Sequence, residues 1–250
     1  MPTRALALFI SDLHLQPLHP RTTSAFFAFL QARARAAREL YLLGDIFEYW
    51  AGDDDLDARF HQDIVAAIRQ VADAGVAIYW IAGNRDFLVG QAFADAAGVT
   101  LLAEPHVIER GGRRIALVHG DAQCVDDLKY MEFRRMVRDP AWQAQFLAMP
   151  LAQRKGIIAG LREGSKAAHA TKSYEVMDVA DSAVAALHAA TGADIIIHGH
   201  THRPFLHRDG KRLRYVLPDW EPDAEPPRGG WIAIESDGTI VRYDLDGVAI

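Results

Sequence analysis

Five short apolar runs, spread along the whole chain, each end in residues that can bind a metal, and this recurrence constrains the fold more than any other feature. Residues 5–10 lead into Ser11-Asp12-Leu13-His14, and residues 40–43 into Gly44-Asp45-Ile46-Phe47-Glu48. Residues 78–82 lead into Gly83-Asn84-Arg85-Asp86, and residues 115–118 into His119-Gly120-Asp121. The last run, 195–197, leads into His198-Gly199-His200-Thr201-His202. The β-rich stretches 5–11, 40–43, 77–82, 115–119 and 193–198 read as strands. Stretches of helical period lie between the early ones: Phe26, Phe29 and Leu30 recur at i, i+3, i+4, as do Ile64, Ala67, Ile68 and Val71. Strands alternating with helices predict an α/β sheet. In such a sheet the carboxyl ends of the strands converge on one rim, where ligands bind.

The last quarter reads differently. Strands are expected at 205–208, 213–217, 230–235 and 239–245, with Asp209-Gly210 and Asp237-Gly238 as hairpin turns. A helix-connected half followed by a meander predicts two sheets packed face to face with helices outside. The fold class expected is α/β: a four-layer α-β-β-α sandwich of two mixed sheets with a helical cap insertion. Residues 1–250 form a single domain on this reading, with the insertion at about 128–171. Helical periodicity marks the insertion and the residues just after it. Tyr130, Phe133, Met136 and Val137 form one stripe; Trp142, Phe146 and Leu147 a second; Ile157, Ile158 and Leu161 a third; a longer helix spans 176–187. Pro140, Pro150, Gly156 and Gly164 are expected to break the first part into short pieces.

Composition excludes several classes. Half of the 250 residues are hydrophobic and 24% charged, a globular mixture rather than a disordered one. No apolar run approaches the ~20 residues that span a bilayer. Residues 5–10 are too short for a signal-peptide core. The lone Cys124 excludes an internal disulfide framework and a multi-cysteine zinc ribbon. A cytosolic enzyme is therefore expected. The net charge is −6, yet nine basic residues oppose three acids between Lys129 and Lys172. That asymmetry suits an anionic partner, such as phosphate or a lipid surface, although two solvated basic helix faces would also produce it.

Asp12 and His14 lie two apart, so on extended backbone both point to one side, and His200 and His202 repeat the spacing. A single loop Asp more often caps a helix, and Asp45, Asn84 and His119 are weak signals taken singly. Three histidines within five residues are hard to satisfy in a core, because each buried imidazole needs a partner. Together the loops supply imidazole, carboxylate and one carboxamide, a set that suits a borderline divalent ion such as Mn²⁺, Fe²⁺ or Zn²⁺. Seven ligands are too many for one tetrahedral ion and enough for two, which can share a carboxylate and clamp a phosphoryl oxygen.

The ordered set Asp12-x-His14, Gly44-Asp45, Gly83-Asn84-x-Asp86, His119-Gly120 and Gly199-His200-x-His202 resembles the calcineurin-like metallophosphoesterases over nearly the whole chain. Longer strings are similar to the UDP-2,3-diacylglucosamine hydrolases within that superfamily. They are residues 10–15, 43–48 with Trp50 and Gly52-Asp53, 83–88, His119-Gly120-Asp121 with Cys124 and Asp126-Asp127, and 198–204. The resemblance implies one ion on Asp12, His14, Asp45 and His202, and a second on Asp45, Asn84, His119 and His200, with Asp45 bridging. It implies two Mn²⁺ ions per chain and attack by a two-metal-activated hydroxide on the phosphorus nearer uridine. The products implied are UMP and 2,3-diacylglucosamine 1-phosphate, in lipid A biosynthesis. It places Asp45, Asn84, Arg85 and His119 in catalysis. Its implied substrate contacts are Asn84, Arg85, Asp127, Tyr130, Ser165, His169, Lys172 and His200, with His169 standing where the family has Asn.

Many metallophosphoesterases have His where Arg85 stands. A guanidinium cannot donate its proton near neutral pH, but its fork binds phosphate oxygens, which fits a leaving group that is itself a phosphate. The alternative is that Arg85 merely pairs with Asp86. The partners implied are a nucleotide-lipid substrate and the cytoplasmic face of the inner membrane, held peripherally. Trp142, Phe146, Leu147, Met149, Leu151, Ile157 and Ile158 would line an acyl groove. No nucleic-acid partner is expected from so acidic a chain, and a monomer is expected. The competing readings are another metallophosphoesterase, acting on a different phosphodiester or nucleotide, and a non-enzymatic scaffold of the same fold.

Overall fold

The first three apolar runs form β1 (Ala7–Ile10), β2 (Glu39–Leu43) and β3 (Ala77–Ile81), which pair in parallel with Leu8 opposite Leu40 and Leu40 opposite Ile78. The computed structural model describes residues 4–169 and 178–250, with side-chain surroundings given up to 162 and from 178. A short parallel strand, β4 (Thr100–Leu102), extends this sheet on one side, and β10 (Gly230–Ile234) with β11 (Ile240–Asp244) extends it antiparallel on the other. The order is β11-β10-β1-β2-β3-β4. The second sheet has the order β5-β6-β7-β9-β8. Its strands are β5 (His106–Arg110), β6 (Arg113–Leu117), β7 (Ile195–His198), β8 (Leu206–Asp209) and β9 (Arg212–Val216). Both sheets mix parallel and antiparallel pairs.

The two-residue period of a strand decides the layering. One face of the larger sheet presents Leu8, Ile10, Leu40, Leu42, Ile78 and Trp80 to the helices α1 (Pro20–Ala32), α2 (Arg59–Asp73) and α3 (Gln91–Ala97). The alternate residues Ala7, Phe9, Tyr41, Leu43 and Ile81 meet Ile115, Leu117, Ile195 and Ile197 of the second sheet and Leu217 just past β9. Ala116, Val118 and Ile196, on that sheet's outer face, pack under Leu187 of α7 (Asp181–Thr191). Helix, sheet, sheet, helix is thus the order of layers. Each fully buried Leu, Ile or Phe contributes about 1.5–3 kcal/mol, so the strands that end at the rim are anchored on both faces.

The helical stretch comprises α4 (Leu128–Val137), α5 (Pro140–Leu147) and α6 (Leu151–His169). Asp127 caps α4 by accepting from the Tyr130 amide, and Asp139 caps α5 by accepting from Ala141 and Trp142. Gly156 does not end a helix. α6 runs unbroken through it and through Gly160 and Gly164, because a mid-helix glycine costs only about 1 kcal/mol. The last four strands are not one meander: β8–β9 closes the second sheet, while β10–β11 returns to the first. The helix expected at 176–187 starts later, at Asp181; its beginning falls partly outside the described residues. No helix among the described residues is long and apolar enough to cross a membrane.

Candidate metal centre

The ligand loops are an extension of the sheet. Past the ends of β1 and β2 the two backbones stay paired: Asp12 N donates to Gly44 O (3.1 Å), His14 N to Asp45 O (3.0 Å) and Leu15 N to Ile46 O (2.9 Å). Asp86 ties in the third loop, its two carboxylate oxygens accepting from Ile46 N and Gly83 N, both at 2.8 Å. The fifth loop joins through His200 N, which donates to Asp12 Oδ2 (2.8 Å), and Gly199 N, which donates to His119 O (2.8 Å). Such close approach excludes side chains at Gly83 and Gly199, where a Cβ would come within 2.2 Å of Asp45 Oδ1 and 2.1 Å of Asp12 Oδ2. Among the described residues five non-glycines have positive φ: Asp12, His14, Asp45, His200 and His202. Each costs on the order of 1–3 kcal/mol, a strain that persists only where the surroundings over-determine it.

Ligand atoms of Asp12, His14 and His202 lie within 4.8 Å of one another, and so do those of Asp45, His119 and His200. His14 Nε2 and His202 Nε2 face each other at 3.3 Å, and Asp12 Oδ1, buried without a well-formed hydrogen bond, stands 3.5 Å from His202 Nε2. In the second cluster Asn84 Oδ1 is 3.0 Å from His119 Nε2 and Asp45 Oδ1 is 3.7 Å from it. Acceptors also stand near the far nitrogens, although His14 Nδ1 makes no well-formed hydrogen bond. His14 Nδ1 stands 3.1 Å from Glu48 Oε2, His202 Nδ1 3.6 Å from Asp219 Oδ2, and His119 Nδ1 donates to Leu43 O at 2.9 Å. Lone pairs converging from rings backed by carboxylates and a carbonyl are what a divalent cation requires. The residues therefore fit a dinuclear metal site.

The calcineurin-like phosphoesterase model matches residues 6–204, a span that includes both clusters. The chain belongs to that family. Curated relatives include UDP-2,3-diacylglucosamine hydrolases from Bordetella parapertussis (48% identical, covering 94% of this chain and 93% of that protein) and Aromatoleum aromaticum (49%, 87% and 90%). That from Enterobacter sp. is 44% identical and covers 97% of each chain. Within the phosphoesterases the chain belongs with these hydrolases. The solved structure of Vacuolar Protein Sorting 29 from Cryptosporidium parvum superposes with a TM-score of 0.51 at 15% identity, over 99% of this chain and 95% of that one. That likeness concerns the fold.

The phosphoesterase clusters are strongly polarised. Burial would raise the Asp12 carboxyl, but the neighbouring rings of His202, His119 and His14 hold it well below the usual carboxylate range. Burial would lower His119, yet Asp45, Asp12, Asp121 and Glu104 lift it to about 9. His200, by contrast, is pushed down to about 3 by burial and by His119 beside it. The surrounding carboxylates thus favour a protonated His119 and burial a neutral His200, and an ion bound there would take the place of the His119 proton.

All seven expected ligands meet at the rim, and Arg85 stands beside them, its amide donating to Asp45 Oδ1 (2.8 Å). Arg85 does not pair with Asp86, which is occupied by backbone amides; its guanidinium approaches Glu48, at 3.7 Å. The Tyr130 ring stacks on His200 at 6.0 Å, and its hydroxyl donates to Asp121 Oδ2 (2.6 Å). Asp127 is the cap of α4. The side chains of Ser165 and His169, and Lys172 altogether, lie outside the described residues. Of the histidines without a motif, His61 and His188 are buried, each with Nδ1 at a backbone carbonyl oxygen (Asp55 and Ala193). His198 turns away, toward Gly199 O and Arg214. Burial and the nearby Asp121 push the Cys124 thiol up to about 12, away from the thiolate form.

Sequence reasoning missed the supporting acids. Glu48 and Asp219 stand behind His14 and His202, and Glu104 accepts from the His119 amide at 2.7 Å. Asp121, wholly buried, binds Arg134 and Tyr130 of α4. Glu48 and Asp121 lie inside the motif strings and could have been marked there. Nothing local distinguishes Glu104 or Asp219.

Proposed function

We propose that this phosphoesterase hydrolyses the pyrophosphate of UDP-2,3-diacylglucosamine to UMP and 2,3-diacylglucosamine 1-phosphate, in lipid A biosynthesis, with two Mn²⁺ ions. The observation that carries the reading is the complete seven-ligand set at one rim, five of the seven in strained backbone, in a chain 44–49% identical to hydrolases of that name. Asp12, His14, Asp45 and His202 would hold one ion; Asp45, Asn84, His119 and His200 would hold the other. When bound, the ions supply Lewis acidity toward phosphoryl oxygens and a nucleophile generated from water at neutral pH.

The chain's own residues do the remainder. Arg85, permanently charged, receives the phosphate oxygens and stabilises the charge that develops on them. The departing group is a phosphate and needs little protonation, so an arginine suffices where an alkoxide would need an acid. Asp86 and Glu104 fix the backbone of the Asn84 and His119 loops through their amide bonds. Helices α4 to α6 form a cap beside the rim, in which Leu128, Met136, Leu147, Ile157 and Leu161 are exposed. These apolar side chains, set among basic ones, favour an acylated substrate and peripheral association, as a monomer, with the cytoplasmic face of the inner membrane. Asp127, Tyr130, Ser165, His169 and Lys172 are assigned to the substrate on the family resemblance.

The direct test incubates purified protein with UDP-2,3-diacylglucosamine and Mn²⁺, with and without chelator, and follows UMP. UMP released only with metal is expected. Equal rates in chelator would refute the metal chemistry. Faster turnover of simple phosphodiesters, with this nucleotide-lipid inert, would favour a different metallophosphoesterase.

A further inference from the structure

Glu48 sits where three parts of the molecule meet. Its amide donates to Leu15 O (3.2 Å), so the backbone ladder that presents Asp45 also presents this side chain. The side chain is buried, and its two oxygens have separate partners. Oε2 stands 3.1 Å from His14 Nδ1, a buried nitrogen with no well-formed hydrogen bond. Oε1 accepts from Arg162 Nη2 and lies 3.7 Å from Arg85 Nη1. Arg162 arrives from α6, 114 residues further on, with its guanidinium 5.6 Å from the Tyr49 ring centre and its buried Nε unpartnered. Two guanidiniums can share one oxygen only while the carboxylate charge stays between them.

We propose that Glu48 is a positioning residue that registers α6 to the metal centre. One oxygen sets the ring of His14, and the other holds Arg85 and Arg162 side by side as a paired receptor for phosphate oxygens. The part concerning the arginines rests on the pyrophosphate-hydrolase reading, and the part concerning His14 does not. A carboxylate that merely tied α6 down would leave His14 and metal binding indifferent to it.

Two variants separate these roles. In Glu48→Gln the amide oxygen still serves His14, while the NH₂ group faces the guanidiniums. Two Mn²⁺ per chain are retained and turnover falls about tenfold, the lower end of what removing such outer partners costs. In Glu48→Ala both roles go, and the Mn²⁺ affinity of one site falls about 10–100-fold as well. That affinity is read by titrating the purified metal-free chain with Mn²⁺ under electron paramagnetic resonance, without substrate, with unfolding curves confirming that each variant folds. Arg162→Met frees α6 without touching His14 and leaves Mn²⁺ affinity unchanged. Equal loss of affinity in Glu48→Ala and Arg162→Met, or loss in neither, would overturn the coupling to His14. Glu48→Gln is also combined with Arg85→Ala: if it costs the same turnover there as in the native chain, the paired receptor is wrong. Absence of UMP from the native chain, with the Mn²⁺ pattern as expected, would overturn the substrate reading and uphold the His14 role.

Discussion

The rim and the helices beside it differ in how completely they are packed. At the rim, Asp12, Asp45 and His119 are buried, three of the five positive-φ non-glycines belong to strand-end loops continuous with β1 and β2, and the strands beneath them fill two cores. The helices α4 to α6, with their connections, seat Phe146, Trp142, Met149 and Ile158 against the core, yet of nine exposed large hydrophobics among the described residues five lie between Leu128 and Leu161. Charged side chains also fasten them to the sheets. Arg134 reaches Asp121 and Glu104, Arg138 donates to Ala82 O and Gly83 O, Arg154 binds Ala51 O and Asp54, Lys155 binds Asp55, and Arg162 binds Glu48. A strained ligand set needs a rigid support, whereas a surface that admits acyl chains must leave apolar groups unpacked. On the proposed function, the difference separates where the chemistry would be fixed from where the substrate would be selected.

The contrast is tested most severely at the rim. Asp45→Ala should remove the ligand common to both ions, and turnover should fall by at least about 10³-fold with metal content below two per chain. Full turnover in that variant would break the shared-ligand assignment. Arg85→Ala should lower turnover about 10²-fold with both ions kept; loss of metal instead would mean that Arg85 supports ligands rather than phosphate. Asp86→Asn leaves one buried backbone amide facing an NH₂ group. It should cost about 1–3 kcal/mol of stability, visible as a lowered thermal midpoint. The smallest effect is expected in the helices: Leu161→Asp should raise KM for the diacyl substrate about tenfold and leave a water-soluble phosphodiester unaffected. An equal change for both substrates would make the helices a support for the rim and erase the distinction.

Legibility tracks range along the chain. The five loops are readable because each ligand comes within a few residues of its own strand, and an apolar run ending in Asp, Asn or His is a local pattern. The strands β4 and β5 are not, since three residues at Thr100–Leu102 and a half-exposed His106–Arg110 carry little apolar signal. α6 passes through its glycines because its place among neighbours outweighs a local propensity of about 1 kcal/mol. The candidate metal ligands and the two-sheet architecture thus come from residue order, since alternation and strand-end chemistry are written locally. Which carboxylate stands behind which histidine does not. Glu48 meets Arg162 across 114 residues and Asp219 meets His202 across the β8–β9 hairpin, contacts fixed by packing distance alone.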